Sequence, residues 1–384
     1  MDKINLLVIV TIISLFISLF LAFFLVTVKT KHKISNSLFA IFLLLSAIDN
    51  IDPLLSLVVN NPSNLGMLRN TFAFFQIPVF YLYVVSVCYS DFKFKPKYII
   101  HLLPFLIANV ILLPRFYIVD LASKISFLKN RQNMIELQFT HILIHIQIVI
   151  YFIAVFMILR KAKKLYLENH AGTSVNSYNW LFQFTIVLTI LYLITLVKNI
   201  FKFSDYPNIS EWIKIGLLVF QLVIVCWYLF KALNNPGLFR NIDSKLKLVS
   251  DIILEEKNSL PLAINEKEYN EELLKLQQYM IEEKPFLNPS LTIQDISNNI
   301  EIPVRDLSLL INHKLEQHFY DFVNTYRIEN AMDILKDVTK SKLTILEILY
   351  DVGFNSKSSF NTAFKKHTGN TPTTYRKTLQ NNTL

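Results

Sequence analysis

Cysteine is nearly absent from this chain of 384 residues. Cys88 and Cys226 both lie inside apolar stretches, which argues against a disulfide framework and against a cysteine-based metal site. Glycine is scarce as well, six in all, and none belongs to a glycine-rich phosphate loop. Charge is the third shortage: only 17% of residues are charged, where a soluble protein carries about a quarter. Hydrophobic residues make up 53%, and mean hydropathy is +0.39. Much of the chain is therefore expected in contact with a lipid bilayer. The net charge of +9 is unevenly placed. No residue pattern points to a cofactor, and the chain is read as not an enzyme.

The apolar content is organised into runs. Ile4 to Val28 carries no charge and is followed by Lys29, Lys31 and Lys33. A secretory signal would start basic, have a shorter core and end at small residues, so a retained transmembrane helix is expected here. Further runs at 36–59, 68–90, 98–114, 138–159, 180–200 and 211–231 each approach bilayer-spanning length. That makes seven expected spans within residues 1–233. Asp49-Asn50-Ile51-Asp52-Pro53 interrupts the second, and Pro104 and Pro114 fall in or beside the fourth. Lysines and arginines follow spans one, three and five (Lys29, Lys31 and Lys33; Lys93, Lys95 and Lys97; Arg160, Lys161, Lys163 and Lys164), while the alternate loops are poorer near the membrane. Positive residues mark the cytoplasmic side. The N-terminus is thus expected outside, the C-terminus in the cytoplasm, and the protein in a bacterial inner membrane.

Ionisable groups inside spans are functional candidates. Asp49, Asn50 and Asp52 lie near the end of span two, and His141 and His145 share one face of span five at a spacing of four. Interhelical hydrogen bonding or the lining of a polar cavity is the simplest reading of these groups; a ligand pocket for an unknown signal, and then a metal site or a membrane-protease site, are the others. Neither a His-Glu-x-x-His pattern nor a Gly-Asp pair accompanies them.

The C-terminal hundred residues contain an internal repeat. Leu291-Thr292-Ile293-Gln294-Asp295-Ile296 is matched by Leu343-Thr344-Ile345-Leu346-Glu347-Ile348. Each copy has a Thr with an acid three positions on, the capping-box signature of a helix start. A break follows, at Glu301-Ile302-Pro303 and at Gly353-Phe354-Asn355, then a second short helix with an apolar seam. Helix, turn, helix, twice over, predicts a pair of helix-turn-helix units at about 291–316 and 343–369. Between them, 319–337 reads as one helix whose buried side runs through Phe319, Phe322, Val323, Tyr326, Ala331, Ile334 and Leu335.

This arrangement resembles the AraC/XylS family of bacterial transcription regulators. The residues that match are Leu307-Ser308, Tyr326-Arg327-Ile328 and Ala331 in the first half. In the second they are Ile348, Val352-Gly353-Phe354, Ser359-Phe360, Phe364-Lys365-Lys366, Gly369 and Thr371 to Arg376. The resemblance implies a DNA-binding domain over 285–384 and double-stranded DNA as partner. The chain departs from the family at Leu309, where a basic or polar residue is usual, and at Glu316, where glycine is usual.

A helix-turn-helix sets the start of its second helix against base edges. The base-contact candidates are Arg305, Ser308, Leu309 and Asn312 in the first unit, and Lys357, Ser358, Asn361, Thr362 and Lys365 in the second. Lys366 and Arg376 are candidates for phosphate. An ordinary solvated helix surface is the bland alternative for each. Residues 341–380 hold six Lys or Arg against two acids, whereas 290–340 hold five against eight, so the second unit is expected to supply much of the affinity.

Residues 234–284 form a connector. Ile242, Leu246, Val249 and Ile253 recur at near-heptad spacing, and Tyr269, Leu273, Leu276 and Met280 repeat it in an acidic helix. The spacing admits a homodimeric coiled-coil stalk, but each run is short, and packing on the bilayer surface or on the first helix-turn-helix is the simpler expectation. The expected whole is all-α: a seven-helix transmembrane sensor followed by a cytoplasmic double helix-turn-helix that binds promoter DNA. A membrane enzyme or receptor whose C-terminal domain only regulates or docks is the alternative.

Overall fold

The computed structural model describes residues 3–28, 33–89, 91–172, 175–204, 206–234 and 266–381. Among these the protein is helical, with no strand and one isolated antiparallel bridge between His170 and Thr292. Two compact units divide the chain. Met1–Leu159 and Trp180–Asn241 make an N-terminal bundle, and Arg160–Asn179 joins Ile242–Leu384 in a C-terminal domain. The second grouping was not expected, because residues 160–179 lie in the sequence between two apolar runs.

In the bundle, α1 (Lys3–Thr27), α2 (Lys33–Asp49), α3 (Asn64–Thr71), α4 (Ala73–Cys88) and α5 (Leu103–Leu112) come first. They are followed by α6 (Leu121–Lys129), α7 (Ile135–Asn169) as far as Leu159, α8 (Val175–Lys202) from Trp180 on, and α9 (Pro207–Asn234). Long apolar segments take this form because a helix satisfies its own backbone hydrogen bonds. Among the described residues, six helical stretches are long and apolar enough to cross a membrane by length and composition. The expected second span is the exception. Its helix α2 has 17 residues, a rise of about 25 Å against the roughly 30 Å of a hydrocarbon core. It ends at Asp49, and a separate turn, Asp52–Leu55, begins with Pro53 near its N-terminus, where no donor is needed. In the fourth run, Pro104 likewise sits in the first turn of α5 and Pro114 in the wide turn that follows, so neither interrupts a helix.

Helix α2 is nonetheless central to the bundle. Ser86 Oγ donates to Ser35 Oγ at 3.1 Å, and Gln76 donates to Ser46 eleven residues further along α2, so α2 and α4 run antiparallel over their lengths. Asn36 Nδ2 reaches the Leu25 carbonyl of α1 at 3.1 Å. Phe39 packs on Tyr83, Phe184 and Tyr228 in an aromatic centre. The outer surface is apolar: Phe16, Phe23, Ile150 and Ile153 are all exposed.

The C-terminal domain contains α10 (Glu266–Glu282), α11 (Ile293–Ile300), α12 (Val304–Leu309), α13 (Phe319–Lys336), α14 (Ile345–Asp351), α15 (Lys357–Thr368) and α16 (Pro372–Asn381). Both capping boxes are present. Thr292 and Asp295 exchange side-chain-to-backbone hydrogen bonds at the start of α11, and Thr344 and Glu347 do the same at α14. The Thr344 backbone N–H, first, and its hydroxyl hold the Glu347 carboxyl below the usual glutamate range. That stabilisation is present at neutral pH and is lost as pH falls through the lowered value.

Two apolar cores flank α13. Phe319, Phe322 and Val323 from its first half enter a core with Leu307, Leu310 and Ile311. Ile328, Ala331 and Leu335 from its second half enter another with Ile348, Phe360 and Phe364. Leu276 and Met280 of α10 are buried in the first core, so this acidic helix packs on the first helix-turn-helix. The other near-heptad run, Ile242 to Ile253, lies outside the described residues.

Gly353 stands in the turn between α14 and α15 at φ +87°, and a Cβ there would lie 2.5 Å from the Phe286 carbonyl oxygen. Gly369, which ends α15 at φ +77°, has open space around it. The two positions separate backbone strain from crowding. Gly369→Ala should cost only the left-handed penalty, about 1 kcal/mol. Gly353→Ala should cost clearly more, because backbone atoms must also move. Hydrogen exchange of α14 and α15 in the full chain measures both.

Candidate nucleic-acid interface

The second helix-turn-helix presents its reading helix openly. Ser356 caps α15 through the Ser359 N–H, and Phe360 and Phe364 face inward, which turns the opposite side out. Lys357, Ser358, Thr362 and Lys365 are exposed there, and Asn361 is half-buried. Lys366 is also exposed but pairs with Asp321 of α13 at 2.7 Å, so within the domain it braces the second unit against the linker helix. Arg376 is half-buried on α16.

The first unit differs. Its second helix is brief, α12 continuing into a wider turn over Leu310–Lys314. Arg305 is exposed and Leu309 half-buried, but Ser308 is 5% exposed. Asn312 is engaged on several sides. Its Nδ2 donates to the Ser308 carbonyl at 3.1 Å and the Glu168 carbonyl at 3.3 Å, and its Oδ1 accepts the Phe319 N–H at 3.0 Å. In this arrangement Ser308 and Asn312 hold the domain together instead of facing outward. The family's usual glycine position, Glu316, has φ +52°, the left-handed conformation that glycine adopts without cost.

The group that touches the first unit here is the end of α7 and the residues after it. Ala171 is buried in the first core, its N–H donates to the Leu291 carbonyl at 3.0 Å, and His170 bridges to Thr292. Arg327 of α13 closes the same place. It is 1% exposed. Its guanidinium donates to the carbonyls of Phe286 at 2.7 Å, Ala171 at 2.7 Å and Asn288 at 2.8 Å. It also stacks toward the Phe354 ring. Burial pushes its pKa down to about 10, which leaves it charged at neutral pH. The repeat pattern does not reveal this role. The signal available was the basic residue at position 327, in the middle of an otherwise apolar helix face.

In the N-terminal bundle, the other candidates gather around one cavity of about 490 Å³ lined by Asp49, Asn50, Asp52, His141 and His145 among others. Asn50 Nδ2 donates to Gln221 Oε1 at 2.8 Å, and Asp52 pairs with Arg69. Lys202 Nζ donates to His141 Nε2 at 3.2 Å, and Asn199 Nδ2 donates to His145 Nε2 at 3.0 Å. The two histidines are therefore engaged with separate partners on α8. No group of three or more His, Cys, Asp or Glu suited to a metal occurs among the described residues.

Comparison with known proteins bears on the C-terminal domain. Residues 296–378 match a family model described as a helix-turn-helix domain. Over 93 residues the chain is 28% identical to the Msm operon regulatory protein of Streptococcus mutans serotype c, covering 24% of this chain and 32% of that one. Over 91 residues it is 29% identical to the Melibiose operon regulatory protein of Escherichia coli K12, covering 24% and 29%. The chain thus spans about a third of the length of the curated relatives it matches. No solved structure matches. The C-terminal domain is a helix-turn-helix domain of the AraC type, similar to those of transcription regulators.

Arg327 supplies the testable point. Arg327→Met would leave three backbone carbonyls without their donor and should destabilise the C-terminal domain, by about 1–3 kcal/mol for each carbonyl that stays buried. Arg327→Lys should recover only part, because an ammonium cannot reproduce the planar fork. Chemical denaturation of the purified full chain, followed by hydrogen exchange of α13, measures the difference.

Proposed function

We propose that this protein is a membrane-embedded one-component transcription regulator. Its N-terminal bundle senses a signal and its C-terminal domain binds promoter DNA in the cytoplasm. The observation that carries the reading is the pair of capped helix-turn-helix units joined by α13, the second with an exposed basic reading helix. The apolar outer surface of the bundle and the six membrane-length helices support its placement in a bilayer. Helix α2, antiparallel to α4 throughout, counts as the seventh span in this reading. An odd number of spans sets the two termini on opposite sides, with the basic loops and the DNA-binding domain together in the cytoplasm.

In this reading Lys357, Ser358, Asn361, Thr362 and Lys365 face the major groove. Arg305 and Leu309 follow from the first unit, and Arg376 takes a phosphate. Ser308 and Asn312 contribute only if the residues around Ala171 withdraw. The segment from Arg160 to Gly172 is then the coupling element, in place of the connector alone: docked, it holds the first unit back, and released, it allows both units to read DNA. A signal can drive this only by binding the two states differently.

Two measurements test the proposal. Arg376→Ala, which removes the phosphate contact, should weaken duplex binding by the full chain and make the slope of log affinity against log salt shallower by about 0.9. A chain that binds no duplex even at low salt sinks the DNA-binding assignment. Ala171→Asp, which places a charge in the first core, should give reporter output that no longer depends on the signal. Output identical to the unmodified protein, at equal protein levels, would remove the coupling role.

A further inference from the structure

The charged groups of the N-terminal bundle gather at one end of its cavity. Arg131, Lys198, Lys202 and Lys214 line that end together with the acids Asp49, Asp52 and Glu211. Asp52 is spent on Arg69, which lies outside the lining. Asp49 and Lys198 are each other's strongest charged neighbour, and Glu211 also acts on Lys198. Four lining cations therefore face two remaining acids, an excess of two positive charges.

The excess falls around Lys202. This residue is half-buried in the last turn of α8, and the charges that act on it most strongly are three cations, Lys198, Arg131 and Lys214, ahead of any acid. One of its three donors goes to His141, an acceptor that brings no negative charge. Cations crowded within an apolar bundle are costly unless something neutralises them. A second group beside it is also unmet. Asn199 precedes Lys202 by three residues, so the two are neighbours on α8, and both face α7, at His145 and His141. Asn199 is 8% exposed and gives its Nδ2 to His145, while its buried Oδ1 has no partner among the described residues. Surplus positive charge and one buried acceptor thus stand within a single helical turn.

We propose that this end of the cavity binds a small tetrahedral dianion that keeps one O–H, of the hydrogen phosphate class. Lys202, Lys214 and Arg131 neutralise it, and its O–H donates to Asn199 Oδ1. Its two negative charges match the excess that the lining leaves. Cations that converge from the start of α7, from α8 and from α9 surround a tetrahedral ion, whereas a flat carboxylate is best met by a single planar fork. The aromatic end of the cavity, at Phe39 and Tyr228, takes no part. This names the class of signal for the sensing part of the function proposed above, and it rests on that part alone.

The probe is radiolabelled inorganic phosphate, equilibrated at mildly alkaline pH with the full chain in phosphatidylcholine nanodiscs without DNA. Saturable binding at a single site is expected. Sulfate, which carries no proton at that pH, and succinate, a dicarboxylate of the same charge, should each compete at least about tenfold more weakly. Lys202→Gln removes a charged partner and should weaken phosphate by at least about tenfold with an unchanged melting temperature. If that variant does not fold, Lys214→Gln on the neighbouring helix is measured in its place with the same expectation. No saturable binding, equal competition by sulfate or succinate, or unchanged affinity in the folded variant overturns the proposal. Binding abolished in nanodiscs containing phosphatidylglycerol assigns the cations to a lipid headgroup and overturns it too. Because no DNA is present, failure here leaves the DNA-binding assignment standing.

Discussion

A buried guanidinium holds the C-terminal domain together. Arg327 sits in the middle of α13, where the helix passes from one apolar core to the other, and it ties down three carbonyls from outside that helix. Desolvating such a charge is expensive, and hydrogen bonds on several sides offset the cost only when the geometry is complete. Each of its three acceptors matters for that reason. Phe286 and Asn288 belong to the short segment that precedes the first helix-turn-helix, and Ala171 follows α7. The same segment supports Gly353, whose turn lies against the Phe286 and Leu287 carbonyls. One arginine and one glycine thus fix both helix-turn-helix units to a common strip of backbone.

Much of the C-terminal domain was legible in the sequence because its signals are local. Thr292 with Asp295 and Thr344 with Glu347 are separated by three residues, and that spacing alone defines a helix start. The seam of α13 follows the helical period, and Gly353 and Gly369 stand where the backbone turns left-handed. Exposure of Lys357, Ser358, Thr362 and Lys365 follows from the inward positions of Phe360 and Phe364. Glu316 is a local signal of another kind: the fold keeps the left-handed turn even where glycine has been lost.

What the sequence did not disclose depends on distant partners. Nothing near Ser308 or Asn312 says that a segment more than a hundred residues earlier covers them. The acidic helix α10 reads equally well as a dimer stalk or as a packing helix, and only Leu276 and Met280 in the first core separate the two. The Asp49 to Pro53 interruption in the second run was legible, but only the structure shows that the helix ends there, at Asp49, with a separate turn beyond. In the bundle, the sequence pointed to Asp49, His141 and His145. It did not single out Asn199 and Lys202, which line the same cavity from α8.

The contact between Arg327 and Ala171 also bears on the order in which the protein is made. Ala171 leaves the ribosome 156 residues before the arginine that will hold it. At about 5–20 residues per second, that is a wait of roughly 8–30 seconds. During that interval the apolar helices α8 and α9 are completed, while the small residues after α7 stay uncovered. The bundle is therefore free to settle before the C-terminal domain exists, and the domain completes its first core by closing on a strip of chain that is already in place. Assembly of the C-terminal domain ends when Arg327 reaches the Ala171 carbonyl.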